Sequence, residues 1–150
     1  MDERHRMRAA RVAQQMRTLQ HRVSRFALAA GAAEEQRTHT RVQTETASVD
    51  AAFSQWSAHL QAGVLDQDSV QRFADNAAQK EDALREANAA LAEAKLKQQA
   101  LTQANGEAQL RVTQARGLLR SLRRKTLRKA EEASLRTFED RVSFHQQRDP

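Results

Sequence analysis

The chain has 150 residues, of which 29% are charged and only 4% are aromatic, and its net charge is +6. It contains no cysteine, which excludes a disulfide framework and a thiolate site, and its single proline is the last residue. So few helix breakers among many helix formers indicate long helices rather than an ordinary globular domain. No apolar run approaches the ~20 residues that a membrane-spanning helix needs, and the N-terminus lacks the apolar core of a secretory signal. We therefore expect a soluble cytoplasmic protein.

The first predicted helix extends over about residues 3–62. Its apolar residues recur at alternating steps of three and four, which predicts a coiled-coil seam that packs against a second helix. Residues 34–44 interrupt this pattern and are polar and rich in threonine, so we expect the helix to be weaker or locally rewound there. The predicted seam consists of Val12, Met16, Leu19, Val23, Phe26, Ala30 and Ala33, followed by Val42, Thr46, Val49, Phe53, Trp56 and Leu60.

A tight turn is predicted at about residues 63–66. Gly63 stands where a glycine in the left-handed conformation ends a helix. Asp66 can cap the next helix, and Leu65 with Val70 matches a hydrophobic staple across that cap. A stop signal followed at once by a start signal predicts that the chain folds back, so the numbers of facing residues should add to about 128.

The second predicted helix extends over about residues 67–147 and carries two rows of positions that repeat every seven residues. Only Lys80, Gln98 and Asn105 are polar among these 16 positions, and many of the others are alanine. The predicted fold is therefore all-α, a single domain over residues 1–150 that forms a long antiparallel two-helix coiled-coil hairpin with a longer C-terminal helix. The first row is Val70, Ala77, Leu84, Leu91, Gln98, Asn105, Val112 and Leu119, and the second is Phe73, Lys80, Ala87, Ala94, Leu101, Ala108, Ala115 and Leu122.

Basic residues are concentrated in two blocks that the hairpin brings together. Residues 1–26 hold seven arginines against two acidic residues, and residues 111–129 hold eight basic residues and no acidic one. Like charges packed in this way repel each other and weaken the free protein at that end. The blocks are either a solvated basic face or a docking surface for an acidic partner.

Two apolar clusters stand apart from the basic blocks, one at the C-terminal end and one at the turn. The second arm is longer than the first, so residues beyond about 126 have no partner within the chain. An apolar stripe on this end either frays in water or is buried in another protein. The cluster at the turn either closes the tip of the hairpin or forms a hydrophobic docking surface. The C-terminal stripe is Leu135, Phe138 and Val142, and the turn cluster is Phe53, Trp56 and Phe73.

No catalytic or metal-binding arrangement is visible in the sequence. The five histidines lie far apart, and no two have metal-ligand spacing on one helix face. Neither a glycine-rich phosphate loop nor a nucleophile elbow is present. A two-helix hairpin also offers no dry, concave pocket in which a pKa could be shifted. We expect no enzymatic activity and no cofactor.

Three binding functions remain: a helical stalk or adaptor in a protein machine, a nucleic-acid binder, and a membrane-surface helix. A pI near 10.7 suits phosphate neutralisation, but the basic region has no aromatic stacking platform and no bZIP-like segment. The basic segments also lack the large apolar face of membrane-surface helices. A stalk or adaptor is favoured, with binding of nucleic acid or of another acidic partner as the alternative.

The pattern resembles the FliJ/YscO-type stalk proteins of flagellar and virulence-associated type III secretion systems. These are antiparallel helical hairpins of about this length that are basic near the open end and have a longer second arm. The resemblance covers the whole chain at the level of architecture. Locally, "LRRKTLRKAEEASLRTFEDRV" (residues 122–142) is similar to the basic-then-acidic helical end of the family, with Glu139 and Asp140 where the family carries its acidic pair.

The resemblance implies a central stalk similar to the γ subunit of rotary ATPases, at the cytoplasmic base of a membrane secretion apparatus. The end with both termini would enter a hexameric secretion ATPase, and the hairpin tip would contact an export-gate protein. Secretion chaperones are further candidate partners, and no specific nucleic acid is expected. The implied ATPase-binding residues are Arg4, Arg8, Arg11, Arg116, Arg120, Arg123, Arg124, Lys125, Leu135, Phe138 and Val142. The implied gate-binding residues are Phe53, Trp56, Leu65 and Phe73. We expect the free protein to be a monomer, although a swapped dimer would use the same seams.

Overall fold

The computed structural model describes the backbone of residues 3–63 and 66–146, and side chains as far as Glu139. Two helices account for nearly all of these residues, α1 (Glu3–Gln61) and α2 (Gln67–Gln146). The helices pack against each other, and the described residues contain no strand. The predicted all-α hairpin with a longer second helix is confirmed. No helix in the described ranges combines the length and the apolar character needed to cross a bilayer.

The turn contains both of the local signals predicted for it. Gly63 has a φ of 74°, and its N–H donates to the carbonyl of Leu60 over 3.3 Å. The carboxylate of Asp66 accepts a hydrogen bond of 2.6 Å from the N–H of Ser69, which is the N-cap interaction. The left-handed glycine ends α1 and the capping aspartate begins α2. Leu65, predicted as one half of the hydrophobic staple, lies outside the described residues.

The cap at Asp66 should make the stability of the turn depend on pH. Hydrogen bonds from Ser69 lower the pKa of Asp66 below its ordinary value of 3.8. Because the folded-state pKa is depressed, the cap's stabilisation is fully present above the unfolded-state pKa and is lost as pH falls through the folded-state pKa. We expect Asp66→Ala to lower the thermal midpoint at pH 7, and this difference from the wild type to shrink as the medium is acidified towards the folded-state pKa.

Circular dichroism melts across this pH range check that expectation. Asp50→Ala removes an exposed carboxylate from the body of α1, away from both helix ends, and is the matched control, with little effect expected at any pH. A difference between Asp66→Ala and the wild type that stays constant down to acid pH would contradict the capping role.

The hairpin divides into two compact units, and the one next to the turn is Ser24–Asn105, here called the turn unit. Its core on α2 is Ala87, Leu91 and Ala94, as the heptad rows predict, and Ala87 is completely buried. On α1 the buried residues of this unit are Ala52 and Gly31. Small residues on both helices let the backbones approach closely.

The register of the turn unit agrees with the predicted one. A Cβ atom on Gly31 would lie 2.5 Å from Oε1 of Gln98, so these residues face each other. The rings of Trp56 and Phe73 also face each other, with centroids 6.4 Å apart. In both pairs the residue numbers add to 129, close to the predicted sum of about 128.

The seam predicted for the first half of α1 is wrong. Its large apolar residues are 54% to 77% exposed, whereas most of the buried or half-buried side chains are small or polar. These are Ala10, Gln14, Thr18, His21, Ser24 and Ala27, with Met7 and Leu28 as the two large apolar members. The half-buried residues Val42, Val49 and Trp56 of the second half are spaced by seven. Stepping back by seven from Val42 leads to further half-buried residues, which are Glu35, Leu28, His21, Gln14 and Met7. One continuous heptad repeat therefore runs along α1. The large apolar residues predicted for the first half of the seam do not belong to this repeat. The exposed set is Val12, Met16, Leu19, Val23 and Phe26, of which the first four are called the outer stripe below.

Phe53 and Leu60, also predicted in the seam, are 47% and 46% exposed. They follow the buried or half-buried seam positions Ala52 and His59 by one residue, which turns them to the side of the helix. The buried and half-buried residues at the turn end of α1, from Ser48 onward, are thus Ser48, Val49, Ala52, Trp56 and His59.

Of the two alternatives expected at residues 34–44, a local rewinding of the helix is wrong. α1 is an unbroken α-helix through this segment. The hydroxyls of Thr38, Thr40 and Thr44 each donate to a carbonyl one turn earlier, over 2.9 to 3.2 Å. Each hydroxyl is satisfied within its own helix, so the threonines are accommodated without a break.

The second unit combines Met1–Val23 with Gly106–Pro150 and is here called the terminal unit. Its buried residues are Ala10 on α1 and Val112 and Leu119 on α2. Lys129 forms an ion pair with Glu3, so contacts between the helices continue slightly past the predicted limit of about residue 126. Every described side chain from residue 123 onward is exposed.

Candidate functional site

The first candidate surface is the positive charge of the terminal unit. Its described parts hold 15 basic residues, six in residues 3–23 and nine in residues 106–139, against five glutamates. We call the implied ATPase-binding subset the basic surface, which consists of Arg4, Arg8, Arg11, Arg116, Arg120, Arg123, Arg124 and Lys125. All of these side chains are exposed. The predicted gathering of basic residues from both helices is present.

The α2 members of the basic surface lie on the outer side and both flanks of that helix. Arg120, Arg124 and Lys125 line a shallow groove with Gly117 on the outer side of α2. Arg116 and Arg123 are seven residues apart and share the opposite flank from Lys125. A partner that encloses the helix would therefore contact more of these charges than a flat partner would.

Arginines of α1 approach this part of α2 from the other helix. Arg4, Arg8 and Arg11 line a groove together with Met7 and Thr126. Lys125 lines a neighbouring groove with Met7 and Leu122, so the apolar floor between the helices is edged by positive groups.

Few of the positive charges have carboxylate partners. Among the described residues, Lys129 pairs with Glu3 and Arg111 pairs with Glu107 over 3.3 Å. No such pair joins Arg120, Arg123 or Arg124 to a described carboxylate. The uncompensated charge creates a positive potential that attracts anionic groups and falls off over a Debye length of about 10 Å in 0.1 M salt.

The second candidate surface is the end of α2 beyond Lys129, where residues 130–139 are called the overhang. Leu135 and Phe138 are 61% and 65% exposed there, as the prediction of an unpartnered apolar stripe requires. The overhang also carries three glutamates and one arginine, so it is acidic where the preceding segment is basic. Val142, the third predicted member of the stripe, lies outside the residues whose side chains are described.

The third candidate surface is the tip of the hairpin. Trp56 and Phe73 are half-buried and stack at a tilt of 30°, and His59 contacts the same phenylalanine with ring centroids 5.0 Å apart. These rings close the turn end of the seam. Phe53 lies to the side with Leu60 and stays exposed, while the predicted gate residue Leu65 lies outside the described residues.

Sequence reasoning missed His59 at the tip and placed Leu60 in the seam rather than on the exposed side of α1. His59 occupies a seam position, and its Nε2 atom is buried without a hydrogen-bond partner in the described structure. His59 was recognisable as a seam position because it follows Ala52 by seven residues and Trp56 by three, and Leu60 lies on the same face as Phe53 because it follows Phe53 by seven. The outer stripe was seen in the sequence but was assigned to the wrong face.

No protein-family model matches the chain, and comparisons with curated proteins and with solved structures give no match either. Among the described residues, no group of three or more histidine, aspartate or glutamate side chains is placed to hold a metal ion. Function must therefore be inferred from the basic surface, the overhang and the tip.

Proposed function

We propose that the chain is a non-enzymatic stalk or adaptor of a type III secretion or flagellar export apparatus, located at its cytoplasmic base. In this role it couples a hexameric ATPase to an export-gate protein. The observation that supports the proposal is the presence, in the two units of one hairpin, of two surfaces with different chemistry. The terminal unit is strongly basic with an apolar overhang, and the turn unit ends in exposed apolar side chains.

The terminal unit has the chemistry expected of a segment that enters a ring. Its charges lie around α2, so a surrounding acidic lining would contact them from several sides. Leu135 and Phe138 supply apolar area that is exposed in the free chain and would be buried in such a ring. The basic charge would steer the encounter, and the apolar stripe would slow dissociation.

The tip offers an exposed apolar surface of a different kind. Phe53 and Leu60 are seven residues apart on one side of α1, so they lie on the same face. Trp56 and Phe73 support them by closing the seam. An export-gate protein would bury Phe53 and Leu60 without disturbing the contact between the helices.

Binding of nucleic acid or another acidic partner is the second candidate, because the exposed arginines suit phosphates equally well. The only described aromatic residue of the terminal unit is Phe138, outside the basic surface, so no stacking platform accompanies the charges. We expect only nonspecific, strongly salt-dependent binding. Submicromolar affinity for duplex or single strands at physiological salt would favour this candidate over the stalk.

A pull-down from secretion-competent cells tests the stalk with two variants of the full chain. Reversing charge at Arg120, Arg123 and Arg124 to glutamate removes attraction to an acidic ring and leaves the seam unchanged. We expect this variant to lose the ATPase by more than about tenfold and to keep the gate protein. The matched control reverses three exposed basic residues of the turn unit, Arg37, Arg41 and Lys97, and should keep the ATPase.

The second variant replaces Phe53 and Leu60 with alanine and should lose the gate protein while keeping the ATPase. Both residues are about half exposed, so the helical circular dichroism signal should be preserved. Recovery of neither partner with the wild type, or equal loss of both partners with each folded variant, would contradict the proposed function.

A further inference from the structure

The side of α2 that is turned away from α1 carries two exposed leucines. Leu96 and Leu110 are 67% and 58% exposed, and they stand two heptads apart on one unbroken helix, so they lie on the same face. Each follows a residue of the first heptad row by five positions, which places it opposite the seam. The seven-residue repeat to which they belong is called the back row, and it consists of Asp82, Ala89, Leu96, Gln103, Leu110, Gly117 and Arg124.

The back row is self-complementary about Gln103. One heptad away on either side is a leucine, and two heptads away is a small residue, Ala89 or Gly117. Three heptads away the charges have opposite signs, with Asp82 on one side and Arg124 on the other. Two antiparallel copies of this row therefore match leucine with leucine, small residue with small residue, and aspartate with arginine. A twofold dimer requires a surface of this kind, because both copies contribute the same surface to the contact.

Two glycines on this side of α2 are not required by the packing of the hairpin. Glycine is one of the least favourable residues in a helix interior. No described atom lies within 4 Å of a Cβ added at Gly106 or Gly117, so α1 does not require a glycine at either position. Gly117 belongs to the back row, and Gly106 lies beside it, three residues after Gln103. A second helix that packs closely on this side accounts for both glycines.

We infer that the back row is the contact surface for the back row of a second copy of this chain, which gives an antiparallel dimer with a twofold axis at Gln103. Leu96 of each copy packs on Leu110 of the other, and Ala89 lies against Gly117. The numbers of facing residues add to 206, as 96 and 110 do. A slide by one heptad in either direction would place a leucine of each copy against Gln103 of the other, so the leucines determine the register.

Charge favours this antiparallel arrangement over a parallel one. Residues 81–93 hold four acidic residues and one arginine, and residues 113–125 hold five basic residues and no acidic one. The arginine is Arg85, which already forms ion pairs with Glu81 and Asp82 of its own helix. Because facing numbers add to 206, the acidic segment of each copy faces the basic segment of the other. Opposite charges of this kind guide the encounter and determine the orientation of the partners.

The extent of the contact is limited by the charges at its ends. From Asp82 to Arg124, α2 extends about 60 Å at about 1.5 Å per residue. Beyond these residues Asp75 would face Glu131, and two like charges oppose further contact. Most side chains within the contact are small or polar, so we expect a dissociation constant of tens of micromolar. The chain is then a monomer at low micromolar concentration and a dimer above it. The inference goes beyond the proposed function, because it requires neither an ATPase nor a gate protein.

Sedimentation equilibrium of the full chain, from about 5 to about 300 μM, tests the inference. The wild type should pass from one chain to two, and Leu96→Gln with Leu110→Gln should raise the dissociation constant by more than about tenfold. Leu118→Gln with Leu127→Gln is the matched control, because these leucines of α2 are 58% and 62% exposed but lie off the back row. A wild type that stays one chain throughout, or equal weakening by both pairs of substitutions, would overturn the inference.

Gly117→Leu separates the contact between copies from the stability of the hairpin. Leucine is the better helix former and has room in the free chain, so the thermal midpoint at low micromolar concentration should rise. The same side chain would hold Ala89 of the second copy away, and the dissociation constant should increase by more than about tenfold. A variant that is more stable and associates as tightly as the wild type would contradict the close approach at Gly117.

Charge reversal in two separate chains tests the register. One chain carries Asp82→Arg with Glu86→Arg, and the other carries Arg120→Glu with Arg124→Glu. Each variant alone opposes like charges at both ends of the contact and should remain one chain at about 100 μM. In an equimolar mixture every reversed residue faces an opposite charge, so two-chain particles should return with a dissociation constant within about threefold of the wild type.

Net charge alone predicts a different result for these variants. The chain with the two glutamates has a smaller net positive charge than the wild type, so general repulsion would let it associate more readily by itself. Association of that variant alone, or a mixture that stays one chain, would overturn the antiparallel register.

Discussion

Replacing Gly31 with leucine should lower the stability of the hairpin by about 2–3 kcal/mol, the largest loss expected from a single change in the seam. A Cβ atom at this position would lie 2.5 Å from Oε1 of Gln98 and 2.6 Å from Cδ1 of Leu101. Both atoms are ends of flexible side chains, so alanine can be accommodated by their movement. A branched side chain needs more room than these ends can yield, and the two helices must separate locally.

Gly106→Leu is the matched control because it makes the same chemical change where no atom lies within 4 Å of the added Cβ. Leucine is a better helix former than glycine, so this variant should gain about 0.5–1 kcal/mol. Thermal and urea unfolding followed by circular dichroism would measure both effects. Opposite signs support the close approach at Gly31, whereas stabilisation by both substitutions would show that the helices are not in contact there.

Replacing Trp56 with alanine should cost about 2 kcal/mol, the largest effect expected at the tip. Complete burial of an aromatic ring makes its truncation cost about 3–5 kcal/mol, and Trp56 is only half-buried. Its contact with Phe73 should add a coupling of about 0.5–1.5 kcal/mol, which the double substitution of Trp56 and Phe73 isolates.

Phe53→Ala distinguishes a ring that closes the tip from one that lies beside it. Phe53 is nearly half exposed, so its truncation should cost less than about 1 kcal/mol by the same unfolding measurement. Equal losses for Phe53→Ala and Trp56→Ala would mean that both rings belong to the seam. The expected difference makes Phe53 the better position at which to test partner binding, since its loss leaves the fold intact.

The sequence predicted α2 and the turn well because their signals are local. Ala87, Leu91 and Ala94 belong to two neighbouring rows that form one apolar face of α2, and Gly63 and Asp66 act on the backbone beside them. α1 instead carries two rows with heptad spacing, and the helix propensities of their residues do not decide which row faces α2. The seven-residue spacing from Val42 back to Gln14 selects the less apolar row, which a search for apolar periodicity passes over.

The candidate surfaces were only partly predictable for a related reason. The exposure of Phe138 follows from the unequal lengths of the arms, which the position of the turn determines. The separation of Phe53 from Trp56 and Phe73 depends on the rotation of α1 about its axis, because a shift of one position moves a side chain by 100°. Such a rotation becomes known only when both helices are placed together.

The small residues of the seam also bear on how such a chain can evolve. Ala87 and Ala94 need only remain small, and the outward positions between seam residues have few constraints from the fold. Substitutions can therefore accumulate at most positions while the hairpin persists, and relatives of such a protein can lose recognisable sequence similarity early in their divergence. Natural selection on this architecture acts on side-chain size at the seam and on the sign of charge at the ends. Neither of these constraints requires a fixed sequence motif.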